Sequence, residues 1–140
     1  MNDKELDNWV SDQRFQVKVY LEKEGIDNPN VGEWPAFEVA PYFAIWAIES
    51  KRQVGQIGWW AFSGDCPTDY ISGDGVTDPR QALEKLLENW SHYLSFMKNN
   101  SQPPNTTMGK GVNLLELADL LERRILIMKD WLEDDAIWFQ

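Results

Sequence analysis

The run from Gly58 to Tyr70, Gly-Trp-Trp-Ala-Phe-Ser-Gly-Asp-Cys-Pro-Thr-Asp-Tyr, brings two indoles, two carboxylates, a thiol and a phenol into one short stretch. A small binding pocket is an apolar wall with a few placed polar groups. Trp59 and Trp60 can supply the wall, and Asp65, Asp69 and Tyr70 the polar groups. These five are the candidate ligand- or partner-binding residues. The plainer alternative is that one Trp fills the core and the turn is only a turn, since large aromatics are ordinary core material.

Catalytic constellations are weaker. A cysteine hydrolase needs a thiolate, a nearby His and a group that orients the His. Cys66, His92 and either Asp65 or Asp69 supply those residue types. His92, however, shares its helical side with Lys85, Glu88 and Phe96, away from the apolar stripe, and Cys66 has no family signature around it. No catalytic residue is assigned. One His and one Cys cannot make a standard zinc set. Asp65, Asp69, Asp74 and Asp78 lack the calcium-loop spacing and its closing Glu. Ser72-Gly73-Asp74-Gly75 and Gly109-Lys110-Gly111 follow no phosphate-loop pattern. Neither a metal nor a cofactor is expected.

The elements that must position these residues follow from periodicity. A helix is expected from about Lys4 to Glu24: Asn2 and Glu5 have capping-box spacing, and Gly25 is a stop. Its stripe is Leu6, Trp9, Val10, Val17, Tyr20 and Leu21; Phe15 and Val19 fall outside it and imply a second covered face. Residues 26–35 are loop chemistry. Tyr42–Glu49 and Ile57–Phe62 predict a hairpin across a polar, Gly-containing connection, with Phe37–Val39 and Asp69–Ser72 as short additions. Strand side chains alternate, so in the first strand Trp46 and Ile48 oppose Ile45 and Ala47, and in the second Ile57 and Trp59 oppose Trp60 and Phe62. Both faces are thus apolar, and either helices cover both or one is left for a partner or a ligand. A second helix runs from Pro79 to about Lys98, capped by Asp78. A third starts at Asn113, with Glu116 at capping spacing, and reaches about Trp131. Residues 99–113 between them form a long connection, either mobile or functional. The fold class is α+β, a hairpin or three- to four-stranded antiparallel sheet packed by three helices, in the order α-β-β-(β)-α-α, within one domain spanning residues 1–140.

The chain has 140 residues, with 23 acidic side chains against 13 basic and a formal charge of −10. Such a surface repels nucleic acid backbones and anionic lipid and steers cationic partners, although acidity also simply maintains solubility. The lone Cys66 excludes a disulfide framework. The charged N-terminus resembles no signal peptide, and no apolar run approaches a membrane span, so a cytoplasmic location is expected.

Ala44-Ile45-Trp46-Ala47-Ile48-Glu49-Ser50-Lys51, Gly58-Trp59-Trp60 and Pro67-Thr68-Asp69-Tyr70 resemble a small bacterial family of uncharacterised proteins, a domain of unknown function, over Tyr42–Trp90. The resemblance implies a bacterial, cytoplasmic protein and transfers no catalytic residues. The leading functional expectation is a non-enzymatic acidic domain that binds a basic protein partner, as inhibitors of toxic nucleases do. The alternatives are a small-ligand binder or minor enzyme using the 58–70 turn, and a homodimer joined through spare apolar faces.

Overall fold

The computed structural model describes residues 1–139. Its elements are α1 (Asp3–Lys23), β1 (Phe37–Val39), β2 (Phe43–Glu49), β3 (Ile57–Gly64), β4 (Asp69–Ser72), α2 (Pro79–Met97), α3 (Leu114–Glu133) and α4 (Asp135–Trp138). The chain is α+β in the expected order, and both short strand candidates form. The backbone divides into two compact units, one ending at Ala82 and one starting at Leu83.

In the first unit, the Asn2 side chain accepts the Glu5 N–H at 2.8 Å and starts α1. Gly25, at φ +94°, ends it, and the Ile26 N–H turns back to the Leu21 carbonyl at 3.0 Å. A residue with a Cβ would resist that left-handed conformation. The four strands form an antiparallel meander, β1-β2-β3-β4. Register pairs Trp46 with Ala61 and Ile48 with Trp59 on the first ladder, then Ala61 with Tyr70 on the next. Alternation therefore puts Ala44, Trp46, Ile48, Trp59, Ala61 and Tyr70 on one face. Val10, Val17 and Leu21 of α1 pack there with Ala44, Trp46, Ile48 and Ala61, while Leu6, Trp9, Tyr20, Trp59 and Tyr70 form the partly covered rim.

Two polar groups in this core differ in kind. Ser63 is fully buried and accepts the Trp46 indole N–H at 3.0 Å, so each satisfies the other. Gln13, 8% exposed, has its Oε1 unpaired among the described residues. On the opposite sheet face Phe43, Ile45, Trp60 and Phe62 are buried too, with the Phe43 and Phe62 rings stacked at 6.3 Å. The two-sided apolarity of the strands is thus matched by buried side chains on both faces.

In the second unit, Leu86, Leu87, Trp90 and Met97 of α2 and Ala118, Leu121, Ile125 and Met128 of α3 are buried. Asn113 caps α3 by accepting the Glu116 N–H at 3.1 Å. The long connection between these helices is tied by one side chain: the Gln102 amide reaches the carbonyls of Met108 at 2.8 Å, Pro103 at 3.3 Å and Thr106 at 3.4 Å. Asp134 caps α4 through the Ala136 N–H, and the Trp138 indole folds back to the Trp131 carbonyl at 2.8 Å.

Candidate interaction surface

The five residues expected to form one pocket are placed separately. Trp60 turns to the face opposite α1, is 2% exposed, and donates its indole N–H to the Val76 carbonyl at 3.2 Å. Trp59 lies on the α1 face, half-buried, toward the hairpin connection. Asp65 lies past the other end of β3, roughly 20 Å along the strand at about 3.3 Å per residue. Its N–H bonds to the Tyr42 carbonyl at 2.8 Å. Asp69 and Tyr70 meet directly, the Asp69 carboxylate accepting the Tyr70 N–H at 2.8 Å.

Those two join a pair from α1. The Tyr20 hydroxyl stands 3.3 Å from Glu24 Oε1 and 3.4 Å from Asp69 Oδ1, and its ring meets Tyr70 edge-on at 6.0 Å. One hydroxyl proton can serve only one carboxylate at a time. Burial, then the negative charges of Asp69 and Glu24, push the Tyr20 phenol above its ordinary value. Burial and the same carboxylates push Tyr70 up as well. A tyrosine acting as base or nucleophile needs the opposite shift. The cluster therefore suits neutral, structural phenols. Sequence patterning placed Tyr20 on the covered stripe but carried no signal that Glu24 and Asp69 would converge on it.

Cys66 sits half-buried in the turn after β3. His92 is exposed on α2, its ring edge-on to Phe96 at 5.2 Å. Among the described residues no three His, Cys, Asp or Glu side chains gather as metal ligands. No described helix is long and apolar enough to cross a membrane.

Exposed apolar side chains, by contrast, recur on the helices. On α1, Phe15 is 69% exposed with Val19 one turn on, so the second covered face that these residues implied does not form. On α3, Leu115, Leu126 and Ile127 are exposed, and Phe139 beyond α4 is 77% exposed. Exposed acids surround the α3 residues: Glu116, Asp119, Asp130, Glu133, Asp134 and Asp135, against exposed Arg123 and Lys129. The helical period of α3 groups Leu114, Leu117, Leu121, Ile125, Met128 and Leu132, widened by Leu120, Ile127 and Trp131, and leaves out Leu115 and Leu126, which is the signal in the sequence that could have marked those two. Ile127 is exposed although it lies on the widened stripe.

A family model described as Domain of unknown function (DUF4826) matches residues 3–138. No curated protein and no solved structure matches the chain.

Proposed function

The chain belongs to this family of unknown function, and we propose that it is a non-enzymatic interaction protein that binds a basic protein partner through the outward side of α3 and the α4 end. The observation that carries the reading is the pattern on that surface: Leu115, Leu126, Ile127 and Phe139 exposed among six exposed acids and two exposed bases. Exposed apolar groups give a partner area to bury, and the acids select its charge. A second copy of the chain would set acids against acids, a like-charge juxtaposition that works against a homodimer through this surface.

The test is capture from a lysate with wild-type bait and two variants, Leu126→Asp and the triple reversal Glu133→Lys, Asp134→Lys, Asp135→Lys. Washes run in parallel at about 0.1 M and about 1 M salt, which shortens the screening length from about 10 Å to about 3 Å. Support requires a basic protein retained at low salt, released at high salt and lost with both variants, whose circular dichroism matches wild type. Salt-independent retention, or retention unchanged by the charge reversal, overturns the proposal.

A further inference from the structure

Residues 1–82 carry fourteen acidic and seven basic side chains. Four of the seven basic ones, Arg14, Lys18, Lys51 and Arg52, nevertheless line two grooves that adjoin at Ser50 and Lys51. The larger groove, about 800 Å³, runs between the β2–β3 connection and the segment after β4. Its apolar wall is Ile57, Trp59 and Val76, and its charged groups are Lys51, Arg52 and the carboxylate of Asp74. The smaller, about 370 Å³, holds Arg14, Lys18 and Lys51 with Glu49. In a strongly acidic unit, an excess of cations beside a half-buried indole is a local reversal of charge.

The walls are held in place. A Cβ on Gly58 would stand 2.8 Å from the Ser50 Cα, and one on Gly73 would stand 2.5 Å from the Ile57 carbonyl. The two segments thus meet backbone to backbone at the base of the groove, a contact only glycine permits. The Ser50 hydroxyl accepts the N–H groups of Arg52 and Gln53. Glu49 accepts from the Gly55 N–H at 3.1 Å and the Asn30 amide at 2.9 Å, and Lys51 donates to the Asn28 carbonyl. Among the described residues, neither Lys18 nor Arg52 has a carboxylate partner.

We propose that the larger groove binds a small planar organic anion, its ring against Trp59 and its charged group toward Arg52 and Lys51. The volume falls within the roughly 300–1,000 Å³ of small-ligand pockets. An aromatic ring gains stacking on an indole, and an anion gains a charge-assisted hydrogen bond from a guanidinium. An extended polyanion would run from this small island onto the acidic surface around it, so the occupant is small. Its lining shares no residue with the surface proposed on α3 and α4.

Amide and indole NMR signals of the isotope-labelled protein, titrated with adenosine 5′-monophosphate and separately with 1-naphthoate, test the proposal. Adenosine and inorganic phosphate serve as the uncharged and ringless controls. Saturable shifts confined to residues 50–59 and 72–77 are expected for at least one probe. Losing a charge-assisted contact in Arg52→Ala should weaken that probe by about tenfold, with the rest of the spectrum unchanged. Trp59→Phe, which keeps a ring, should bind more tightly than Trp59→Leu. The inference fails if neither probe produces saturable shifts, if the shifts map elsewhere, or if Arg52→Ala binds as wild type. It fails equally if inorganic phosphate binds as tightly as the responding probe.

Discussion

Trp59 and Trp60 are adjacent, and the period of a strand alone requires them to face opposite ways. The sequence could not say which of them would be buried completely, because both sheet faces are apolar. The difference lies in distant groups: Trp60 finds the Val76 carbonyl, while Trp59 lies on the partly covered rim. Likewise Ser63 lies just past the expected end of its strand, and nothing local in the sequence announces its bond to Trp46. Tyr20 shows the same limit with a measurable consequence. Its raised pKa, caused by burial and by Asp69 and Glu24, means that the folded state holds the phenol neutral more firmly than the unfolded chain does. That contribution is fully present below the unfolded value near 10.0 and is lost as pH rises above it. Phenolate absorbance during alkaline titration should therefore show Tyr20 and Tyr70 ionising late. In Tyr20→Phe one late step should vanish, and stability should fall less steeply above pH 10.0. Tyr20 and Tyr70 ionising near the ordinary value would contradict the cluster.

Elements were more legible than their surroundings, because caps and periods are local. Asn2, Asp78 and Asn113 each accept the amide three residues on, as capping chemistry requires. The hairpin and both short strands follow from apolar runs between polar breaks. The four-residue α4 has no period to read, although Asp134 is a recognisable cap. The connection at 99–113 was open between mobile and functional because Gly, Pro and Asn report turns and not what ties the turns together. Gln102 ties them, with one amide shared among three carbonyls. Gln102→Ala should cost about 1–3 kcal/mol, the usual penalty for part-buried acceptors left unmade. Hydrogen exchange should quicken across residues 103–111 while the amides of α1 and the sheet stay protected. Uniform loss of protection, or none, would show that Gln102 does not organise this segment.

For the whole molecule, charge acts on folding and on association with opposite signs. A formal charge of −10 compacted into a folded chain repels itself and destabilises the compact state. Among the attractive pairs that oppose it, Lys85 with Glu88, Arg123 with Asp119, and Lys98 with Glu122 are exposed. Pairs of that kind are worth about 0–1 kcal/mol each, so screening them loses little. Repulsion should win, and raising sodium chloride from about 0.01 M to about 0.15 M, which shortens the screening length from about 30 Å to about 8 Å, should raise Tm. Chloride is the suitable salt, because sulfate strengthens apolar burial by exclusion and would raise Tm for another reason. Over the same range a complex with a basic partner should weaken, since the acids of α3 and α4 attract it through the same solvent. A Tm that falls with salt would mean that attractive networks outweigh the net charge. The triple reversal at Glu133, Asp134 and Asp135 joins the two effects: it should raise the Tm of the free protein at low salt while abolishing partner binding. A reversal that lowers Tm at low salt would show those three acids to be structural, as Asp134 already is in part through its cap on α4.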